Sequence, residues 1–309
     1  MSSPTIVVVG STNTDMVIKA SRLPQPGETI LGGTFFMSAG GKGANQAVAA
    51  ARLGGSVLFI AKTGYDIFGK QSIELFEQEG IDISGIQRDH YQPSGVALIT
   101  VDDKGENCIV VAPGANAALS PDDIDQAKEK IENASLLLTQ LETPIETVEY
   151  VANIASPRNI KFILNPAPAA KLSDELLKKV SIITPNQKET EMLTGIQVTD
   201  QSSAQHAANF LHNKGIETVI ITMGSMGAFV FHENKYSLIA GHKVNVVDTT
   251  AAGDVFNGAL TVALSEGMTM DDAVAFACKA AAISVTRLGA QASAPTREEV
   301  ESFVHANAK

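Results

Sequence analysis

The chain has 309 residues, with Asp and Glu (34) outnumbering Lys and Arg (23) for a formal charge of -11. A surface of that sign repels phosphate backbones and anionic lipid, so nucleic acid and membrane are poor partners. The length suits one α/β domain over 1–309 with a small appendage, and two separated cysteines, Cys108 and Cys278, suggest neither a disulfide framework nor a zinc site.

The start, Met1-Ser-Ser-Pro-Thr5 before the apolar Ile6-Val-Val-Val9, lacks a basic n-region and a long apolar core, so a cytoplasmic location is expected. From there β-branched runs alternate with helical patterns: strand 5–9, helix 44–53, strand 56–61 and helix 66–79. The rhythm resumes at 136–138, 144–155, 161–164, 181–184, 188–193, 204–213 and 219–222. It predicts a mostly parallel central sheet flanked by helices. Two stretches, 15–36 and 94–112, break the rhythm and read as consecutive strands, the second with a hairpin at Asp102-Asp-Lys-Gly105. They are expected to form a small projecting β-sheet, a lid. The C-terminal third is helical at 254–266 and 271–285.

Most of the chemistry is signalled by Val247-Asp-Thr-Thr-Ala-Ala-Gly-Asp-Val-Phe-Asn-Gly258, where a strand stops, small residues turn and a helix begins at about Asp254. Backbone N–H groups of Ala251, Ala252 and Gly253 at a helix N-terminus favour a phosphate or another developing negative charge. Asp254 beside them is placed to take a proton from an attacking hydroxyl. An isolated Asp at a helix start is more often a cap; the small-residue run and the second acid Asp248 favour catalysis.

The glycine cluster Ser38-Ala-Gly-Gly-Lys-Gly-Ala-Asn45 is not a Walker A loop, because Gly43 rather than Ser or Thr follows Lys42. It reads either as a plain tight turn or as a backbone approach to a small polar ligand, with Asn45 as hydrogen-bonding partner. Asn13 and Asp15, two apart after the first strand, suit a polyol or an Asx turn. Thr222-Met-Gly-Ser-Met-Gly227 offers glycine N–H groups for nucleotide phosphates, or is an ordinary turn. Asn186 and Glu189 stand at a helix start, as caps or as partners of phosphates and magnesium through water; Glu142 ends a strand with a similarly open role. His90, His206, His212, His232, His242 and His305 show no metal-ligand spacing.

Taken together and in order, these segments resemble the ribokinase-like (PfkB) family of carbohydrate kinases across essentially the whole chain. The most specific stretches are Gly40-Gly-Lys-Gly-Ala-Asn-Gln-Ala-Val-Ala-Ala-Ala-Arg-Leu-Gly54 and Asp248-Thr-Thr-Ala-Ala-Gly-Asp-Val-Phe-Asn-Gly258. Within the family, Gly10-Ser-Thr-Asn-Thr-Asp15, Leu164-Asn-Pro-Ala-Pro-Ala169 and Gly289-Ala-Gln291 are most similar to the members that phosphorylate ribose. The resemblance implies that Asn13, Asp15, Gly41, Lys42, Asn45 and Glu142 hold D-ribose and that Asp254 deprotonates its C5 hydroxyl. It implies an anion hole at Ala251, Ala252 and Gly253, and ATP contacts from Asn186, Thr222, Gly224, Ser225, Gly227, Gly253 and Cys278. It further implies Mg²⁺ with the phosphates, met by Glu189 through water. An activating K⁺ would lie beside Asp248, Thr250, Ser284, Arg287, Gly289 and Ser293, and a homodimer would form through the lid. Two departures stand out. Ala252 occupies a position where many relatives carry Gly, and Cys278 one where His or Asn often meets the adenine.

Overall fold

A computed structural model describes residues 5–303; Met1 to Pro4 and His305 lie outside it. Its strands in chain order are β1 (Thr5–Val9), β2 (Asn13–Lys19), β3 (Thr34–Gly40), β4 (Ser56–Gly64), β5 (Asp82–Asp89), β6 (Gly95–Val101), β7 (Asn107–Ala112), β8 (Leu136–Thr139), β9 (Lys161–Leu164), β10 (Ile182–Ile183), β11 (Thr218–Thr222), β12 (Gly227–His232) and β13 (Lys235–Ala240). The main sheet has nine strands in the order β13-β12-β11-β10-β9-β8-β1-β4-β5. From β11 to β5 every pairing is parallel, and the β12–β13 hairpin closes one edge antiparallel.

The uninterrupted apolar run of β1 follows from burial on both faces, as parallel sheets require. Ile6 and Val8 pack into the layer holding the helices Lys42–Arg52 and Ala252–Ser265, while Val7 and Val9 pack into the opposite layer with the helix Ile145–Ala155. Ala44, Ala47 and Ala263 are fully buried, so the small side chains of these helices let their backbones lie close together. Among the described residues no helix is long and apolar enough to cross a membrane.

A second sheet of four strands has the order β3-β2-β6-β7, with β2 and β6 parallel and the other pairings antiparallel. The Asp102 turn joins β6 to β7, its tip held by Gly105 N donating to Asp102 O at 3.0 Å. The strands differ in extent from the sequence reading. β2 starts at Asn13 and β3 runs on to Gly40, so the inner ends of both strands reach the main domain. Between them, residues 20–33 form a loop rather than more strand. The expected helix at Asp254 begins at Ala252, putting Asp254 inside its first turn.

Candidate active site

The chain leaves β1 in one direction to β4 and β5, and later fills the sheet in the other direction from β8 onward, so the strand order reverses between β1 and β8. Carboxyl ends of strands at such a switch form a crevice that open α/β sheets use for ligands. Here the two strand ends are tied together: Ser11 Oγ, just past β1, donates to Glu142 Oε2, just past β8, at 2.5 Å. Lys42 N donates to the same oxygen at 3.0 Å, so Glu142 caps the 42–52 helix from a hundred residues away. Within that helix no acid occupies the first turn, which leaves its positive end to Glu142.

Asp254 is buried, and it does not cap its helix. The cap position belongs to Ala251, without a side-chain bond, and the Asp254 carboxylate points instead at the neighbouring helix. Asn45 Nδ2 donates to Asp254 Oδ2 at 2.9 Å and Gln46 Nε2 to Oδ1 at 2.9 Å. Burial pushes the carboxyl above its ordinary value, against the pull of the Lys42 charge and these two amides, with Glu142 adding repulsion. A buried carboxylate held by two donors, with an elevated proton affinity, suits a general base.

Ala251 adopts the left-handed region (φ 59), so the position that lacks glycine's freedom is Ala251 rather than Ala252, where relatives' Gly was placed. Ala252 N is turned toward Thr249 O at 3.3 Å. Gly253 is exposed, and a Cβ there would meet nothing within 4 Å, which gives an anion open access to the backbone at the helix start. Asn257 steadies this turn by donating from Nδ2 to Gly253 O at 2.8 Å, and Thr184 Oγ1 donates to Asn257 Oδ1 at 2.6 Å.

The residues read as sugar partners converge on the same crevice. Asn13 is buried and its Oδ1 accepts from Asn116 Nδ2 at 2.8 Å. Asp15, on the same face of β2, pairs in register with Ser38. Burial, and then the Glu142 carboxylate, push its carboxyl up to about 6, against the Lys42 charge. A Cβ at Gly40 would lie 2.3 Å from Asp15 Oδ2, so only glycine leaves room for that carboxylate. Gly41 has φ 89 and starts the 42–52 helix. Burial pulls the Lys42 ammonium down, but the carboxylates of Asp254, Glu142, Glu189 and Asp15 outweigh it and leave the group above its usual value. Asn45 Oδ1 is buried without a protein partner, an acceptor left unpaired in the structure.

A recess of about 160 Å³ lies over Asp254, Lys42, Asn165 and Glu189, and it adjoins a cleft of about 780 Å³. Asn186, Thr222, Thr249, Ala252 and Gly253 line both. Gly224, Ser225, Gly227 and Cys278, all read as nucleotide contacts, line the larger cleft. Its far wall is apolar: Phe256, Ala281, Ala282 and Val285 sit beside Cys278, whose thiol burial pushes up to about 12. Asn186 and Glu189 do form a reciprocal cap, Asn186 Oδ1 accepting from Glu189 N and Glu189 Oε2 from Asn186 N, each at 2.8 Å. Both also line the recess, so capping and ligand contact are compatible here. Burial raises the Glu189 carboxyl, against the Asn186 N–H and the Lys42 charge that lower it.

Beside the anion-binding turn, Asp248 Oδ1 accepts from Thr250 N at 2.9 Å and Thr250 Oγ1 at 2.6 Å, and Oδ2 accepts from Gly289 N at 2.9 Å. Partial burial would raise the Asp248 carboxyl, but these bonds prevail and lower it. Arg287 N donates to Ser284 O at 3.0 Å and the Arg287 guanidinium pairs with Glu299 at 2.6 Å. Ser293 Oγ donates to Ala290 O at 2.7 Å. Asp248, Thr250 and Gly289 are thus in direct contact.

Sequence reasoning passed over Ser11, Gln46, Asn116, Gln140, Asn165 and Asn257. Gln46 stands next to Asn45 in the glycine-rich motif, and Gln140 two before Glu142; an uncharged amide gave no signal of its own at either position.

A small second sheet, a polar recess over a buried carboxylate, and an adjoining cleft lined by a helix start are the features of a phosphotransferase acting on a small polyhydroxylated acceptor. Residues 3–297 match the pfkB family of carbohydrate kinases, and the chain belongs to that family. It is 49% identical over 300 residues to the ribokinase of Haemophilus influenzae, covering 97% of this chain and 98% of that one. The ribokinase of Thermotoga maritima superposes with a TM-score of 0.90 at 42% identity, covering 97% and 99% of the two chains. That of Arabidopsis thaliana, solved with ribose and ATP, also gives 0.90, at 32% identity, covering 98% and 100%.

Proposed function

We propose that this chain transfers the γ-phosphoryl group of ATP to the C5 hydroxyl of D-ribose, giving D-ribose 5-phosphate and ADP. The observation that carries the reading is Asp254 itself: a buried carboxylate fixed by Asn45 and Gln46, lining the recess that adjoins the cleft two residues from Ala252, which lines both. Asn13, Asp15, Gly41, Lys42, Asn45 and Glu142 bind the sugar hydroxyls, and Asp254 takes the C5 proton as the oxygen attacks phosphorus. Charge on the transferring group is met by the Ala251–Gly253 turn, the helix N-terminus and the Lys42 ammonium. Asn186, Thr222, Gly224, Ser225 and Gly227 hold the nucleotide, with the base against Cys278 and its apolar neighbours.

Two ions belong to this reading. Glu189, a carboxylate lining the recess, fits Mg²⁺ held through water, which neutralises phosphate charge when bound. The Asp248 carboxylate, with backbone oxygens of Thr250, Ser284, Arg287, Gly289 and Ser293, would supply hard oxygen donors of the kind that suit K⁺, which would rigidify the adjacent turn. The lid covers the sugar and excludes water, and its outer face pairs two copies into a homodimer in the cytoplasm.

An ADP-release assay across ribose, deoxyribose, fructose and a nucleoside, each with K⁺ or Na⁺, tests the proposal. Ribose should give the highest kcat/KM and K⁺ should support more activity than Na⁺. A clear preference for deoxyribose or the nucleoside would overturn the acceptor, and indifference to the ion would overturn the K⁺ site.

A further inference from the structure

Beyond Asp254 lies a cluster of buried amides, of which the reaction as described uses Gln46 alone, to fix the carboxylate. Gln46 Nε2 donates to Asp254 Oδ1 at 2.9 Å and to Asn165 Oδ1 at 3.0 Å. Gln46 Oε1 in turn accepts from Gln140 Nε2 at 2.6 Å. Gln46 and Gln140 are both 0% exposed, so water cannot substitute for either. Asn165 is itself oriented by donating from Nδ2 to Thr184 O at 3.2 Å.

A primary amide can be turned over, exchanging oxygen for nitrogen with almost no change in shape. Turned over, Gln46 would present its oxygen to the Asp254 carboxylate and to Asn165 Oδ1, and its NH₂ to the NH₂ of Gln140. Two contacts would become repulsive at once in a buried setting, and Gln140, whose Oε1 has no partner, would lose the acceptor of its Nε2 unless it turned as well. Gln140 therefore acts on the base through Gln46 without touching it. Each carboxylate oxygen thus accepts one amide bond, Oδ1 from Gln46 and Oδ2 from Asn45, and keeps a lone pair beyond it.

We infer that Gln140 and Gln46 form a positioning relay that keeps the donor edge of an amide on Oδ1 of Asp254 and thereby sets both the orientation and the proton affinity of the carboxylate. The inference rests on Asp254 acting as the base. Other charges facing that carboxylate are Lys42 at the start of the 42–52 helix, Glu142 after β8, and Glu189 on the helix Gln187–Thr194. These remain in place when the relay is cut, so a change in titration traces to the amides.

The test is the pH dependence of kcat at saturating ribose for the wild type, Gln46→Met, Gln140→Met and the double variant, with folding followed by circular dichroism. Losing the donor removes stabilisation of the ionised base, so Gln46→Met should move the acid limb of kcat upward by about 1–2 pH units, the span of one hydrogen bond to a charged group. Gln140→Met should move it in the same direction by less, with KM for ribose little changed. Because Gln140 acts only through Gln46, the double variant should match Gln46→Met. Folded variants with a wild-type acid limb, or a double variant whose shifts add in full, overturn the relay. If Gln140→Met unfolds the chain, Gln140→Leu also removes the donor without adding a charge; a wild-type limb in that folded variant likewise overturns it. Wild-type turnover by Asp254→Asn would instead defeat the base assignment, which separates the two failures.

Discussion

Asn45 Nδ2 and Asp254 Oδ2 meet at 2.9 Å across 209 positions of sequence, tying together the first turns of two neighbouring helices. Each helix start supplies something different: the 42–52 helix brings amide donors and the Lys42 charge, and the 252–265 helix brings the carboxylate and open N–H groups. The two helices pack through alanines and glycine: a Cβ on Gly258 would lie 2.8 Å from Ala49 Cβ and from Gln46 O. The carboxylate is therefore positioned by the helix packing rather than by a mobile loop.

If Asp254 is the base, Asp254→Asn preserves size and one acceptor oxygen but removes the proton acceptor. The expected result is a fall in kcat of about 10²–10⁴-fold with KM for ribose changed far less, since general-base catalysis contributes on that scale. Steady-state kinetics on the folded variant measure it. Retention of wild-type kcat would reduce Asp254 to a structural role.

Asp15 should make ribose binding depend on pH. Its folded value of about 6 lies above the ordinary 3.8, so the folded apo chain retains a proton that the unfolded chain has already released between these two values. Stability from this group therefore declines as pH rises through that window and stays lost above it. A sugar hydroxyl donating to the carboxylate favours the ionised form, so KM for ribose should rise as pH falls through about 6. Asp15→Asn should abolish that dependence, raise KM roughly tenfold or more by losing a charge-assisted bond, and melt higher than the wild type near neutral pH without ligand. A variant with an unchanged KM profile would remove Asp15 from the sugar site.

How much of this was readable beforehand depends on the range of the interaction. The period of alternating runs gives the parallel sheet because strand and helix patterns are local, and the two glycine- and alanine-rich motifs mark the helix starts for the same reason. The Asn186–Glu189 cap is local too, three residues apart. Gln46, Gln140 and Asn165 were opaque because their partners are far away in sequence and they carry no charge to single them out. Asp254 was legible as an acid at a helix start, but whether it capped or catalysed depended on where the helix began. Two residues of difference in that boundary moved the cap to Ala251 and freed the carboxylate. The left-handed backbone lies at Ala251, one residue before the Ala252 that the resemblance singled out.

Ala251 is consequently a sensitive position. An L-residue in the left-handed region costs roughly 1–2 kcal/mol, and glycine would relieve that strain while adding unfolded-state entropy, so the two effects largely offset. Ala251→Gly should leave Tm and kcat close to wild type. Ala251→Val adds a branched Cβ that the region does not tolerate, so Tm should fall. The turn carrying Gly253 should also tilt, lowering kcat by roughly tenfold for each 1.36 kcal/mol of lost transition-state stabilisation. Thermal melts and kinetics on the pair decide it: equal behaviour of Gly and Val would show that the turn does not need this conformation.

The lid carries the last prediction, because its strands are apolar on the side turned away from Asp15. Alternation along β2 puts Asp15 and Val17 on the inner face and Met16 and Ile18 on the outer one, and the register extends the outer row from Met37 through Met16 and Leu98 to Val110. Leu98 is 54% and Val110 67% exposed, with Phe35 and Met37 alongside at 57% and 50%. A contiguous exposed apolar strip of this kind marks an interaction surface, and a second lid from another copy would bury it symmetrically. Burying a Leu or Val side chain contributes about 1.5–3 kcal/mol, whereas a carboxylate in its place would be desolvated without a partner. Leu98→Glu with Val110→Glu should therefore convert a dimer into a monomer by light scattering, leave circular dichroism unchanged, and raise KM for ribose more than it lowers kcat, since the lid loses its support. A wild-type chain that is monomeric at high concentration, or a double variant that stays dimeric, would show that copies do not pair through this face.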